Sequence, residues 1–241
     1  MEFKQRLPLA GGILSAILLV GIVGWASWYF FLQGPPDPKL LLTKAWQNTI
    51  KAESYSFSSS TEMVVDGKKR VLSKLEGQIQ KDGFRVKGEM LSTPVELYQI
   101  GKIIYLKDVF GGNNWKVFEN SVLERQPLVT AEINPIGYLQ FKDTFEANII
   151  GEEKFNDRKV YRVEVQPDVD NQFLAMLYTN FRATFLIGKR DHLIWKAVLT
   201  GVSKQKAEDK ITIDITIKDY KPVKLVPPVK KLPEPPIPQK Q

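Results

Sequence analysis

Hydrophobic positions in this chain follow three successive patterns. Residues 9–32 form an apolar run without a charged side chain. A helix needs about 20 such residues to cross a hydrocarbon core about 30 Å thick, so this run predicts a membrane span. Residues 38–52 change to helical spacing, with Leu42, Ala45, Trp46 and Thr49 on one side, which predicts an amphipathic helix. Asp37 and Pro38 suit its N-cap and its first position. From residue 54 the period is two. Tyr55, Phe57, Ser59, Thr61 and Met63 alternate with Ser56, Ser58, Ser60 and Glu62. Phe84, Val86, Gly88 and Met90 alternate with Arg85, Lys87 and Glu89. This alternation predicts antiparallel strands with one buried face.

Turn residues divide the strands. Asp66-Gly67, Asp82-Gly83, Gly101-Lys102 and Asn156-Asp157 are sites where the chain reverses, because these residues tolerate left-handed backbone. Further strands are expected at 95–100, 103–107, 115–118, 144–150 and 159–166. Residues 119–142, interrupted by Pro127 and Pro135, predict one or two short helices. Residues 168–181 place Phe173, Met176 and Leu177 on one face and predict another helix. A hairpin follows, with strands at 182–187 and 193–202. Ile211, Ile213, Ile215 and Ile217 then give the cleanest alternation in the chain. The fold class is α+β, mostly antiparallel β, with ten or eleven strands and two or three helices in one unit after the apolar run.

Charge and composition narrow the partners. The net charge is +7, but it is concentrated at the two ends of the chain. The tail from Lys221 holds five lysines and one glutamate, and Lys4 and Arg6 precede the apolar run. The remainder is nearly balanced, which argues against nucleic acid as a partner. Lys4 and Arg6 place the N-terminus in the cytoplasm by the positive-inside rule, and Trp25, Trp28 and Tyr29 suit the opposite interface. An uncleaved anchor is favoured over a cleaved signal peptide, because the run exceeds a signal core of about 7–15 residues. The expected location is a bacterial cytoplasmic membrane, single-pass, with the domain outside. The chain has no cysteine, so disulfides, a lipidated cysteine and thiolate metal sites are excluded. The proline- and lysine-rich tail cannot build a core and predicts an extended segment.

Catalytic chemistry finds little support. His192 is the one histidine and falls in a turn, with no nucleophile arranged to use it. Asp168 and Asp170 suit helix capping better than calcium binding. Gly111-Gly112 lacks the strand-to-helix context of a phosphate loop. No metal or cofactor is expected, and the reading is non-enzymatic. The positive signal is apolar surface on inward positions: Phe57, Phe84, Val86, Met90, Tyr105, Phe173, Met176, Leu177 and Trp195. An ordinary packed core accounts for most of these. An incompletely filled apolar cavity is the alternative.

The stretches Ala45-Trp46-Gln47-Asn48, Ser54-Tyr55-Ser56-Phe57, 186–195 and Ile217-Lys218-Asp219-Tyr220-Lys221-Pro222-Val223 resemble the LolA/LppX-type lipoprotein-carrier superfamily. The resemblance implies a curved antiparallel half-barrel wrapped around two or three helices, with an apolar cavity for acyl chains. It implies a lipid or lipoprotein ligand, and makes the nine apolar residues candidate cavity lining. The expected boundaries are 1–8 cytoplasmic, 9–32 anchor, 33–38 linker, 39–223 carrier-like domain and 224–241 disordered tail. The alternative is an envelope protein-interaction or sensor module with a closed core. The topology has a direct test. A reporter active only in the cytoplasm, fused after Gln241, should be silent, and an active fusion would reverse the orientation.

Overall fold

A computed structural model describes residues 36–108, 114–119, 133–139, 141–142 and 145–229. The expected anchor at 9–32, the Gly111-Gly112 loop and the last part of the tail lie outside them. Among the described residues no helix is long and apolar enough to cross a membrane.

The first helix, α1 (Pro38–Lys51), buries Leu41, Leu42, Ala45 and Thr49. These recur at one-, three- and four-residue steps, so they form one stripe on the cylinder. Trp46, expected on that stripe, is half-buried at its margin. Strands β1 (Ser54–Val65), β2 (Lys68–Gln80), β3 (Gly83–Met90), β4 (Thr93–Ile100), β5 (Ile103–Lys107) and β6 (Trp115–Glu119) make a first meander. Most of 119–142, where one or two short helices are expected, lies outside the described residues; the described ones include a 3₁₀ turn, Pro135–Leu139, and a bridge from Phe141 to Val169. Strands β7 (Glu146–Phe155), β8 (Arg158–Gln166), β9 (Tyr178–Gly188), β10 (Ile194–Ser203) and β11 (Lys210–Asp219) make a second meander, with α2 (Gln172–Leu177) between β8 and β9.

All neighbouring strands are antiparallel, and among the described residues they form one eleven-stranded sheet. Its order is β6-β5-β4-β3-β2-β1-β11-β10-β9-β8-β7. The two meanders therefore join where the first strand pairs with the last. The sheet is open, curved and accompanied by few helices.

Register carries apolar rows across the core face. Ile217, Phe57, Gly77, Val86, Leu97 and Leu106 stand opposite one another from β11 to β5. Ile213, Leu199, Ala183, Val165 and Ala147 do the same from β11 to β7. The core forms against this face, with Leu41, Leu42 and Ala45 of α1 and Ile133, Ile136, Tyr138 and Leu139 from the 3₁₀ region. A fully buried side chain the size of Phe57 contributes about 1.5–3 kcal/mol through removal from water.

Three local features depart from expectation. The helix anticipated over 168–181 is only α2, capped by Asn171, whose Oδ1 accepts from the Leu174 amide at 3.0 Å. Neither Asp168 nor Asp170 makes that cap. Tyr178 and Thr179 leave the helix because they pair with Ser203 and Val202 in the sheet, where aromatic and β-branched side chains pack well. Leu91 and Ser92 form an unanticipated hairpin turn, both with left-handed backbone at φ 50° and 60°. Asp66-Gly67 and Asn156-Asp157 turn as expected, again with both residues at positive φ.

Gly77 is required by packing. A Cβ there would run into the Phe57 ring, which lies across it from the neighbouring strand. Gly77→Ala should therefore destabilise the domain by about 1–3 kcal/mol through overpacking. Thermal unfolding checks this, and adding Phe57→Leu should recover part of the loss.

Candidate apolar face and the clamp beside it

The nine candidate residues divide among three environments. Phe57 and Val86 are fully buried core. Phe84, Met90, Phe173 and Leu177 are half-buried and pack against the same core. Tyr105, Met176 and Trp195 do not belong to the core face, and each exception has a local cause.

Tyr105 alternates with Ile104 and Leu106, which touch the core, so its ring points to the outer face. There it stands opposite Tyr98. Tyr98 packs edge-on against Trp115 at 5.4 Å, and the Arg85 guanidinium lies 5.1 Å from the Tyr98 ring centre. Glu96 completes this surface, accepting from Arg85 at 3.1 Å and from Lys107 at 3.3 Å. Partial burial works against the Glu96 charge, but the hydrogen bonds from Arg85 and Lys107 outweigh it and hold the carboxyl below its ordinary range.

Met176 is 64% exposed. In a helix only six residues long, Leu174 takes the buried position and Phe173 and Leu177 flank it. Met176 then falls on the solvent side, where the longer helix expected from sequence had placed it inward.

Trp195 is displaced by a bulge. Ile194 pairs with Ile187 and Lys196 pairs with Leu186, so Trp195 has no partner in the ladder. Unbroken alternation with Ala197 and Leu199 would have put it on the core face. The extra residue instead sends its ring to a smaller cluster with Val160 and Leu186.

Trp195 is part of a clamp at one end of the sheet. Its indole N–H donates to Asp191 at 3.2 Å, the Arg158 guanidinium sits 3.7 Å over its ring, and Tyr220 meets it edge-on at 5.0 Å. The Tyr220 hydroxyl donates to the Ile194 carbonyl. The Ile194 amide donates to Thr49 of α1 at 3.1 Å. Tyr55 lies 6.2 Å from Tyr220, and its hydroxyl donates to Asn134 at 3.1 Å. The aromatic residue after β11 thus ties the helix, the bulge and both central strands together.

Half-covered apolar side chains occur on both meanders. On the second, Val163, Val165, Ala183, Phe185, Ala197 and Leu199 are all at most 3% exposed, while Ala147, Ile149 and Tyr161 are half-buried. On the first meander Ile79, Phe84, Met90, Val95 and Leu106 pack on the core yet stay half-buried. Only Phe84 and Met90 of these five were singled out from sequence. Ile79 continues the alternation of Leu75 and Gly77, and Val95 and Leu106 share its face by register, but none of the three is distinguished by sequence from ordinary core. Two clefts formed by the described residues are lined mostly by polar groups. One of about 370 Å³ lies between Lys142, Asp168, Asn180 and Lys204 beside α2. Another of about 240 Å³ lies between Glu146, Glu164, Arg182 and Thr200 on the outer face. Among the described residues no group of three or more His, Asp or Glu is placed to hold a metal ion.

Comparison with known proteins adds the fold. Neither a family model nor a curated protein matches the chain. Among solved structures it is similar to the lipoprotein LppX of Mycobacterium tuberculosis, with a TM-score of 0.53 and 13% identity over 79% of this chain and 99% of that one. The chain has a LolA/LppX-type fold. LprF of Mycobacterium bovis follows at a TM-score of 0.49 and 14% identity, over 80% of this chain and 98% of LprF. At such identities the likeness speaks for the fold alone.

The clamp has a pH signature. Burial, joined for Tyr55 by the neighbouring Tyr220, raises both phenols well above the ordinary value of 10.0. The unfolded chain then loses these protons first. The associated stability is fully present below pH 10 and is lost as pH rises beyond it. Thermal unfolding between pH 8 and 11 should show falling stability at the alkaline end. Tyr55→Phe should flatten that fall, and an unchanged slope would remove Tyr55 from the linkage.

Proposed function

We propose that this chain is a membrane-tethered, non-enzymatic domain outside the cytoplasm whose curved apolar face binds the acyl chains of a lipid or lipoprotein. The observation that carries the proposal is the apolar surface on the first meander, where Ile79, Phe84, Met90, Val95 and Leu106 share the core face and stay half-covered. Acyl chains suit such a surface because their recognition needs area and shape more than directed hydrogen bonds. The LolA/LppX-type fold supports the reading, since the resemblance seen in the sequence implies an apolar cavity for acyl chains. The apolar run at 9–32 and its flanking charges support the tether.

The test uses the chain from Pro36 onward, which contains the whole described core. A ligand that binds only the folded state adds about 2.7 kcal/mol at a hundredfold excess over its Kd. Long-chain phospholipid should therefore raise the Tm of delipidated protein, and native mass spectrometry should detect the complex. Met90→Glu should abolish the lipid effect, because it places a charge on the half-covered face. Trp195→Phe should preserve the effect, since that ring lies in the clamp. If saturating lipid leaves the transition unmoved and no lipid co-purifies, the alternative of an envelope protein-interaction module with a closed core takes over.

A further inference from the structure

The face of α1 turned away from the core has a composition that the packing of the domain does not explain. Leu40 is 70% exposed and Ile50 58% exposed. Thr43, Lys44, Gln47 and Lys51 are exposed with them. Leu40, Lys44, Gln47 and Lys51 follow one another at steps of four, three and four, so the residues form one continuous stripe opposite Leu41, Leu42, Ala45 and Thr49. The fourteen residues of the helix include no aspartate or glutamate. A solvated helix face usually mixes both signs of charge; this one combines lysine with bare aliphatic side chains, the composition of a helix lying in a headgroup layer.

Neighbouring structure extends the same character. The Asn48 amide donates to the carbonyls of Asp191 and His192, at 3.4 and 3.2 Å, and so holds the β9–β10 turn against the helix. That turn carries Lys189 and an exposed Arg190. Its acid, Asp191, already accepts from the Trp195 indole and the Leu193 amide, and Lys189 pairs with Glu152 at 2.6 Å. The nearest acids in sequence, Asp37 and Glu53, lie beyond the two ends of α1.

We infer that the exposed stripe of α1 rests on an anionic phospholipid surface, with Leu40 and Ile50 entering the headgroup layer and Lys44 and Lys51 meeting lipid phosphates. The inference rests on the tether proposed above, which supplies proximity. Only residues 33–37 separate the apolar run from α1, and five residues span at most about 18 Å. A helix held that close meets the bilayer surface without a search, so weak contacts suffice to orient the domain.

The chain has no cysteine, so single labels can be placed without background. Full-length protein is reconstituted into vesicles of phosphatidylcholine, with or without 30% phosphatidylglycerol, that contain a headgroup-nitroxide lipid. A fluorophore is attached at Gln47→Cys on the stripe or at Lys87→Cys on the outer sheet face. With phosphatidylglycerol present, quenching at position 47 should exceed that at 87 at least threefold. Lys44→Gln with Lys51→Gln should at least halve it. Flotation in 1 M salt reports the tether separately. A chain that floats yet shows equal quenching at 47 and 87 keeps its anchor and overturns the docking. A chain that fails to float while position 47 is still quenched at low salt overturns the tether and keeps the docking. Energy transfer between labels at 47 on different copies, without lipid quenching, would assign the stripe to a second copy and overturn the inference.

Discussion

The backbone pairing of β1 with β11 is the constraint on which the sheet depends. Ser56 meets Asp219 and Val64 meets Lys210, so the start and end of the domain close across 146 to 163 residues. Each meander alone is a series of local hairpins with little closure cost. Joining them requires a long loop closure, whose entropic cost grows slowly with length and is repaid only when the apolar rows meet. Phe57 and Ile217 stand opposite one another at that junction and are both fully buried. Gly77, emptied of a side chain, lets the Phe57 ring lie across β2. The clamp around Tyr220 then fixes the end of the closing strand against α1, because its hydroxyl and Thr49 satisfy both backbone groups of Ile194.

Close packing recurs on both sides of that junction. Aromatic rings lie against small residues, as in Phe57 over Gly77, Phe185 beside Ala197 and Phe181 over Gly201. Farther along the first meander, longer apolar side chains remain half-covered. A half-barrel whose whole concave face was sealed would be more stable and less able to accept a ligand. The retained exposure at Phe84, Met90 and Leu106 is therefore the structural basis of the acyl-binding proposal, and it lies on a part of the sheet whose edge strand, β6, is short.

Much of this architecture was legible because one signal per element sufficed. The isoleucines of β11 alternate without interruption, and all of them are buried. The Asp66-Gly67 and Asn156-Asp157 pairs specify their hairpins through left-handed backbone. The strand count and the first helix follow from the same rules. What failed was any inference that needed parity to hold across an irregularity. One extra residue at Trp195 reversed its face, since a strand has a period of two and a bulge shifts everything on one side of it. Leu91-Ser92 turns although neither residue favours positive φ, because register on both sides leaves two residues to reverse the chain. The α2 region showed helical spacing for more residues than the helix keeps, because ladder pairing with β10 competes for Tyr178 and Thr179. Pairings of α1 with distant elements had no local signal at all: Thr49 meets Ile194 only once the sheet has closed.

Placement of α1 links these points to function. It is the first element of the domain, it seals part of the core with one face, and it presents lysine and aliphatic side chains on the other. A carrier that travels between membranes gains nothing from a lipid-adhesive helix beside a short tether. Under the proposed tether, a domain that exchanged acyl chains with its own membrane would have its source of ligand at hand, and the helix stripe would act in the same direction as the half-covered sheet face.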